Sequence, residues 1–168
     1  MATLNTLLYF LHLVAAVFWI GGIGYILFVL MPAVPTVALR DRARFMPMVL
    51  RRYLVVVWVS IAVLVGTGLY RMFVVWDAAA GAFWSSGLGH ILAAKLALVA
   101  VLIGIAVLLT VQVVPRAIRH VHTHGDDPAE AYRCAQCATV VGGMRRRLQL
   151  ALILALAIIY LAVMLRGA

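Results

Sequence analysis

Four long apolar runs, parted by shorter segments that gather nearly all of the charge, set the pattern of this chain: about residues 4–30, 53–75, 87–114 and 148–165. Each is about 20 residues or more, which is what a helix needs to cross the hydrocarbon core of a bilayer. Backbone polar groups in lipid must be bonded within their own segment, so the runs are read as helices. The two-residue alternation of outer-membrane strands is missing. The pattern predicts an all-α integral membrane protein, a single four-helix bundle occupying residues 1–168.

Composition removes the main competitor. With 67% hydrophobic and 11% charged residues and a mean hydropathy of +1.13, the chain is too apolar for a soluble domain. The net charge of +9 adds a direction. Arg40, Arg42, Arg44, Arg51 and Arg52 fall between the first two runs; Arg116, Arg119, Arg133 and Arg145 to Arg147 fall between the last two. The other side has Arg71 and Asp77 in the second loop and Arg166 at the end. Positive-inside bias puts both basic loops in the cytoplasm and both termini, with the second loop, in the periplasm of a bacterial inner membrane. Trp76, Phe83 and Trp84 suit an interfacial aromatic belt. Arginines beside apolar runs, without aromatics interleaved on a polar module, argue against nucleic acid. The first run has no basic segment before it and exceeds the apolar core of a signal peptide, so no cleaved leader is expected.

The interruptions of the apolar pattern carry the candidate chemistry. His12 lies inside the first run, and an ionisable residue within a span is costly and by default a functional candidate. At ~100° per residue His12, Ala16, Trp19 and Ile23 share one helical face. Ala15, Ala16, Gly21 and Gly22 let a helix or a flat ring come close, so the face reads as a pocket wall. His90 enters the third run at comparable depth. Two histidines on facing helices suit a haem iron clamped from two sides or, equally, a copper ion. Lys95 lies deeper on the same helix, while the acids Asp41, Asp77, Asp126, Asp127 and Glu130 are all in loops. Its charge is answered either by snorkelling or by a bound anion such as a haem propionate, with Arg71 as a second propionate partner. The glycines of VGTGLYR, Val65 to Arg71, admit a ligand or a close neighbouring helix. Gly89, Ala93, Ala97, Ala100 and Gly104 predict a small-residue seam on the third helix.

The third loop holds His120, His122 and His124, then Cys134 and Cys137 as one C-x-x-C. These are zinc- and copper-ligand types, but the spacing matches no zinc finger, and a solvated basic loop is the plainer reading. No structural disulfide is implied. The methionines form no paired motif of the kind a copper conduit would show. No nucleophile with a base, phosphate loop or carboxylate pair supports hydrolysis or phosphoryl transfer.

The run His12 to Gly22, H-x6-W-x-G-G, with an aliphatic tail ending at Met31-Pro32, resembles the first helix of the copper-resistance protein D (CopD) domain. HILAAKLALV from His90 resembles the one-lysine helix of the same family. The H-x6-W part is also similar to HemJ-type protoporphyrinogen oxidases. The CopD resemblance implies copper transport or homeostasis, with His12 as an entry ligand between periplasm and cytoplasm. The HemJ resemblance implies porphyrinogen oxidation using His12 and Lys95, although other aromatic and basic signatures of that family are missing.

The residues themselves favour haem b in an electron-transfer protein or oxidoreductase subunit, with the cofactor in the periplasmic half. His12 and His90 would take the iron, Trp19 the pocket wall, and Lys95 and Arg71 the propionates. Copper is the alternative occupant of the two histidines. Any enzymatic activity on these readings is that of a membrane oxidoreductase. Expected partners are the lipid bilayer, a redox partner protein, a quinone or a periplasmic carrier of copper or electrons, and further subunits in a homo- or hetero-oligomer.

Overall fold

A computed structural model of the chain describes residues 2–78, 87–116, 119 and 135–167. Its long helices are α1 (Ala2–Tyr25), α2 (Leu39–Ala78), α3 (Gly87–Leu108) and α4 (Ala135–Gly167). Among the described residues there is no strand, and four stretches are long and apolar enough to cross a membrane: Thr3–Thr36, Phe45–Phe73, Gly89–Arg116 and Thr139–Met164. The all-helical, four-span architecture expected from the apolar runs is the one the chain adopts.

The helices outrun those runs at their starts. α2 begins at Leu39 and α4 at Ala135, well before the apolar stretches read from Tyr53 and Leu148. The extra turns are rich in arginine, so hydropathy leaves them out, while local bonding holds the first of them in place. Asp41 stands in the first turn of α2, where the helix dipole favours an acid. Arg42 reaches back, its Nε donating to the Val37 carbonyl at 2.7 Å and another nitrogen to the Pro35 carbonyl. These bonds close the reversal between α1 and α2.

α1 and α3 both continue into a π turn, Ile26–Leu30 and Leu109–Val113. Each turn is closed by a wide backbone bond, Met31 N–H to the Ile26 carbonyl and Val114 N–H to the Leu109 carbonyl. Each is followed one residue later by a proline, Pro32 and Pro115. Proline has no N–H, and its ring crowds the carbonyl four residues back. Widening the turn moves that carbonyl aside.

α1 packs chiefly on α2 and α3 on α4, and α1 also meets α4. The core gathers toward the end of the bundle that carries the first and third loops, hereafter the basic end. Its buried residues come from Trp19 to Leu30, Leu50 to Ile61, Leu102 to Val114 and Met144 to Ala155. A gap of about 30 Å³ lies among Trp19, Tyr53, Leu102, Leu148 and Ala151, about the volume of one water. Toward the opposite, terminal end the side chains thin out, with Leu7, Phe10, Leu13, Leu69 and Phe73 all exposed. Of the small-residue seam expected on α3, Gly89 is buried, while Ala93, Ala97, Ala100 and Gly104 are exposed. α3 instead buries Leu102, Ile105 and Ala106, and α4 buries Leu148, Ala151 and Ala155.

Candidate functional site

His12 is half-buried on α1, and its ring is tied to α2. Nδ1 lies 2.7 Å from the Oγ1 of Thr67, a buried residue. The Thr67 hydroxyl is itself 2.6 Å from the carbonyl of Val63, one turn back on its own helix. A hydroxyl has one proton and a carbonyl can only accept, so that proton goes to Val63 and the hydroxyl accepts from His12 Nδ1–H. The same relay recurs where there is no choice of tautomer. Trp58 Nε1–H, which can only donate, reaches Thr110 Oγ1 at 3.2 Å, and Thr110 donates to the Ala106 carbonyl at 2.8 Å. The network therefore assigns His12 the Nδ1–H tautomer, leaving the lone pair on Nε2. Orienting an imidazole through one nitrogen and presenting the other is how proteins prepare a metal-ligating histidine.

Gly68 completes the seat. A Cβ at that position would stand 3.7 Å from His12 Cε1, the carbon beside Nε2. That is an ordinary van der Waals distance, so α2 passes close beside the ring at this position. Threonine and glycine are adjacent in VGTGLYR, where the sequence drew attention to the glycines and not to the threonine between them. The signal that would have found Thr67 is a lone hydroxyl among small residues, within reach of the histidine's free N–H.

The remaining expected residues fall around this point unequally. Lys95 is half-buried on α3, and both Lys95 and Arg71 are close enough to His12 to act on it electrostatically. Arg71 lies over the ring of Tyr9, 4.8 Å from its centroid, a cation–π contact. No acid of the chain lies in any of the four spans, so this neighbourhood is positive. Trp19 is buried in the core nearer the basic end, where its carbonyl accepts from the Tyr53 hydroxyl at 3.3 Å. This contact holds α1 to α2. Tyr53, unnoticed in the sequence, also lies where a Cβ on Gly22 would be, which is why position 22 is glycine.

His90 is exposed, whereas His12 is seated against α2. The described residues thus do not assemble the buried two-histidine clamp that a haem between α1 and α3 needs. Among them no group of three or more His, Cys, Asp or Glu side chains is placed to hold a metal ion. His120, His122, His124 and Cys134 of the third loop lie outside the described residues, as do the side chain of Cys137, the side chain of Trp76, and Phe83 and Trp84.

Residues 47–165 match the family model described as Copper resistance protein D. The chain belongs to the copper resistance protein D family. No curated protein and no solved structure matches it. The matched segment covers most of α2, all of α3 and most of α4. α1, whose His12-to-Gly22 run carries the resemblance seen in the sequence, lies ahead of it. The copper resistance protein D segment nonetheless contains both Thr67 and Gly68, the residues that seat His12. Family membership favours copper over haem b.

Proposed function

We propose that this protein carries copper across a bacterial inner membrane, with both termini and the second loop periplasmic and His12 as the ligand that copper meets on that side. The observation that carries the reading is membership of the copper resistance protein D family, shown by the match over residues 47–165. His12 is chosen within it because its Nε2 bears a lone pair on a ring already oriented by Thr67, and imidazole is a suitable copper ligand.

The surroundings suit passage and not storage. One imidazole beside two cations, Lys95 and Arg71, holds a bare metal ion weakly, since the like charges repel it. A conducted ion must bind well enough to enter and loosely enough to leave. The arginine-rich first and third loops support the orientation.

The test is copper entry into proteoliposomes holding an enclosed copper-sensitive dye. Wild-type protein should raise the rate above empty vesicles, and His12→Ala should bring it down at least tenfold while His90→Ala leaves it within about twofold. Equal rates for His12→Ala and wild type would remove His12 from the path. A visible Soret band in purified wild-type protein, lost in His12→Ala, would move the assignment to haem b. Orientation is read separately: a single cysteine at Ala79 should react with an impermeant thiol reagent on whole cells, and one at Thr36 should not.

A further inference from the structure

At the basic end, α3 and α4 leave a pocket of about 180 Å³ lined by Val113, Arg116, Thr139, Val140 and Arg147. We propose that it binds the phosphate group of an anionic phospholipid. Three features of the pocket point to that ligand.

The first is charge. Two guanidinium groups and a hydroxyl line the space, and no carboxylate is among its described lining residues. A planar guanidinium matches a phosphate with paired donors. Arg147 is folded toward its own helix: a Cβ on Gly143 would lie 3.2 Å from its Nη1, so the glycine gives the guanidinium room beside the backbone.

The second is depth. Arg116 follows the apolar run 87–114 and Arg147 directly precedes the run 148–165, so the pocket sits where hydrocarbon gives way to headgroups. Val113 and Val140 give it an apolar side on which an acyl stem gains by burial and a free phosphate does not. Basic pockets between membrane helices recognise lipid headgroups by this combination.

The third is size. Small-molecule sites run to ~300–1,000 Å³. A pocket of about 180 Å³ takes one compact charged group with the rest of its molecule outside, as in a lipid.

The experiment titrates delipidated full-length protein in neutral detergent with phosphatidylglycerol, phosphatidylcholine or inorganic phosphate, following the thermal midpoint and the lipid retained in native mass spectra. Phosphatidylglycerol should raise the midpoint and remain bound, and the other two should do neither. Arg116→Gln and Arg147→Gln should each weaken apparent affinity on the order of fivefold, and Arg146→Gln, outside the pocket, should not. Val140→Trp fills the space without changing charge and should also weaken retention, which a merely basic surface would not show. Equal losses in Arg146→Gln, or full retention in Val140→Trp, would overturn the pocket. Stabilisation by inorganic phosphate alone would overturn the lipid as its ligand.

Discussion

The two halves of the bundle are built on different terms. At the basic end, buried side chains from all four helices close on one another around a gap the size of a water. At the terminal end the apolar side chains mostly face outward, and His12, Thr67, Lys95 and Arg71 are the polar and charged groups placed there. Close packing among those buried side chains sets stability, whereas a passing ion, on the proposed function, needs polar groups that are oriented without being walled in. The difference teaches that stability and function should come apart by position along the same helices. Substitutions in the terminal half should change what the protein does, and substitutions in the basic half should change how well it holds together.

The largest expected effect is at Thr67. Thr67→Val keeps the shape but removes the acceptor for His12 Nδ1–H, freeing the ring to turn, and should lower copper entry about 10-fold to 100-fold. Thr67→Ser should restore most of it. A large drop in melting temperature with transport per folded molecule intact would break the division, by showing that Thr67 serves packing.

Next in size is the contact between α1 and α2. Gly22→Ala places a methyl where the Tyr53 ring lies, and should cost about 1–3 kcal/mol, read by unfolding in detergent. Gly21→Ala, with nothing within 4 Å of its Cβ position, should be neutral or stabilising by up to about 1 kcal/mol through helix propensity. Opposite signs at neighbouring residues are the signature; equal effects would mean that Tyr53 does not set the register. In the second pair of helices, Ala155→Leu at a site 1% exposed should also destabilise, by about 1–3 kcal/mol. Copper entry per folded molecule should be unchanged.

The smallest effect is at the second relay. Trp58→Phe loses the bond to Thr110, but the threonine still donates to Ala106, so about 0.5–1.5 kcal/mol is expected. A change in transport here would extend the functional half past the middle of the bundle.

What could be read in advance follows the same division. Apolar runs of spanning length are a property of the sequence alone, so the four spans were legible, as was His12, because a histidine is conspicuous against leucine and valine. The early starts of α2 and α4 were not, since arginine-rich turns register in hydropathy as loop. Nor were Thr67 and Tyr53, which matter through partners 55 and 34 residues away; their roles exist only once α1 lies against α2. His90 shows the converse. Its depth in the third run matched that of His12, but depth does not fix which way a helix faces, and the side chain is exposed.

The two π turns carry a consequence for how the chain tolerates length changes. A π turn fits five residues into roughly the arc that four occupy in an ordinary helix, so each of these helices holds one spare residue just before its proline. Deleting one residue from Leu109–Val113 would draw on that reserve, leaving the faces on either side in phase. The same deletion between Gly87 and Leu108 would swing everything beyond it by ~100°, turning Leu102 or Ile105 out toward lipid. Among natural variants of this chain, single-residue gaps should accordingly collect at Ile26–Leu30 and Leu109–Val113.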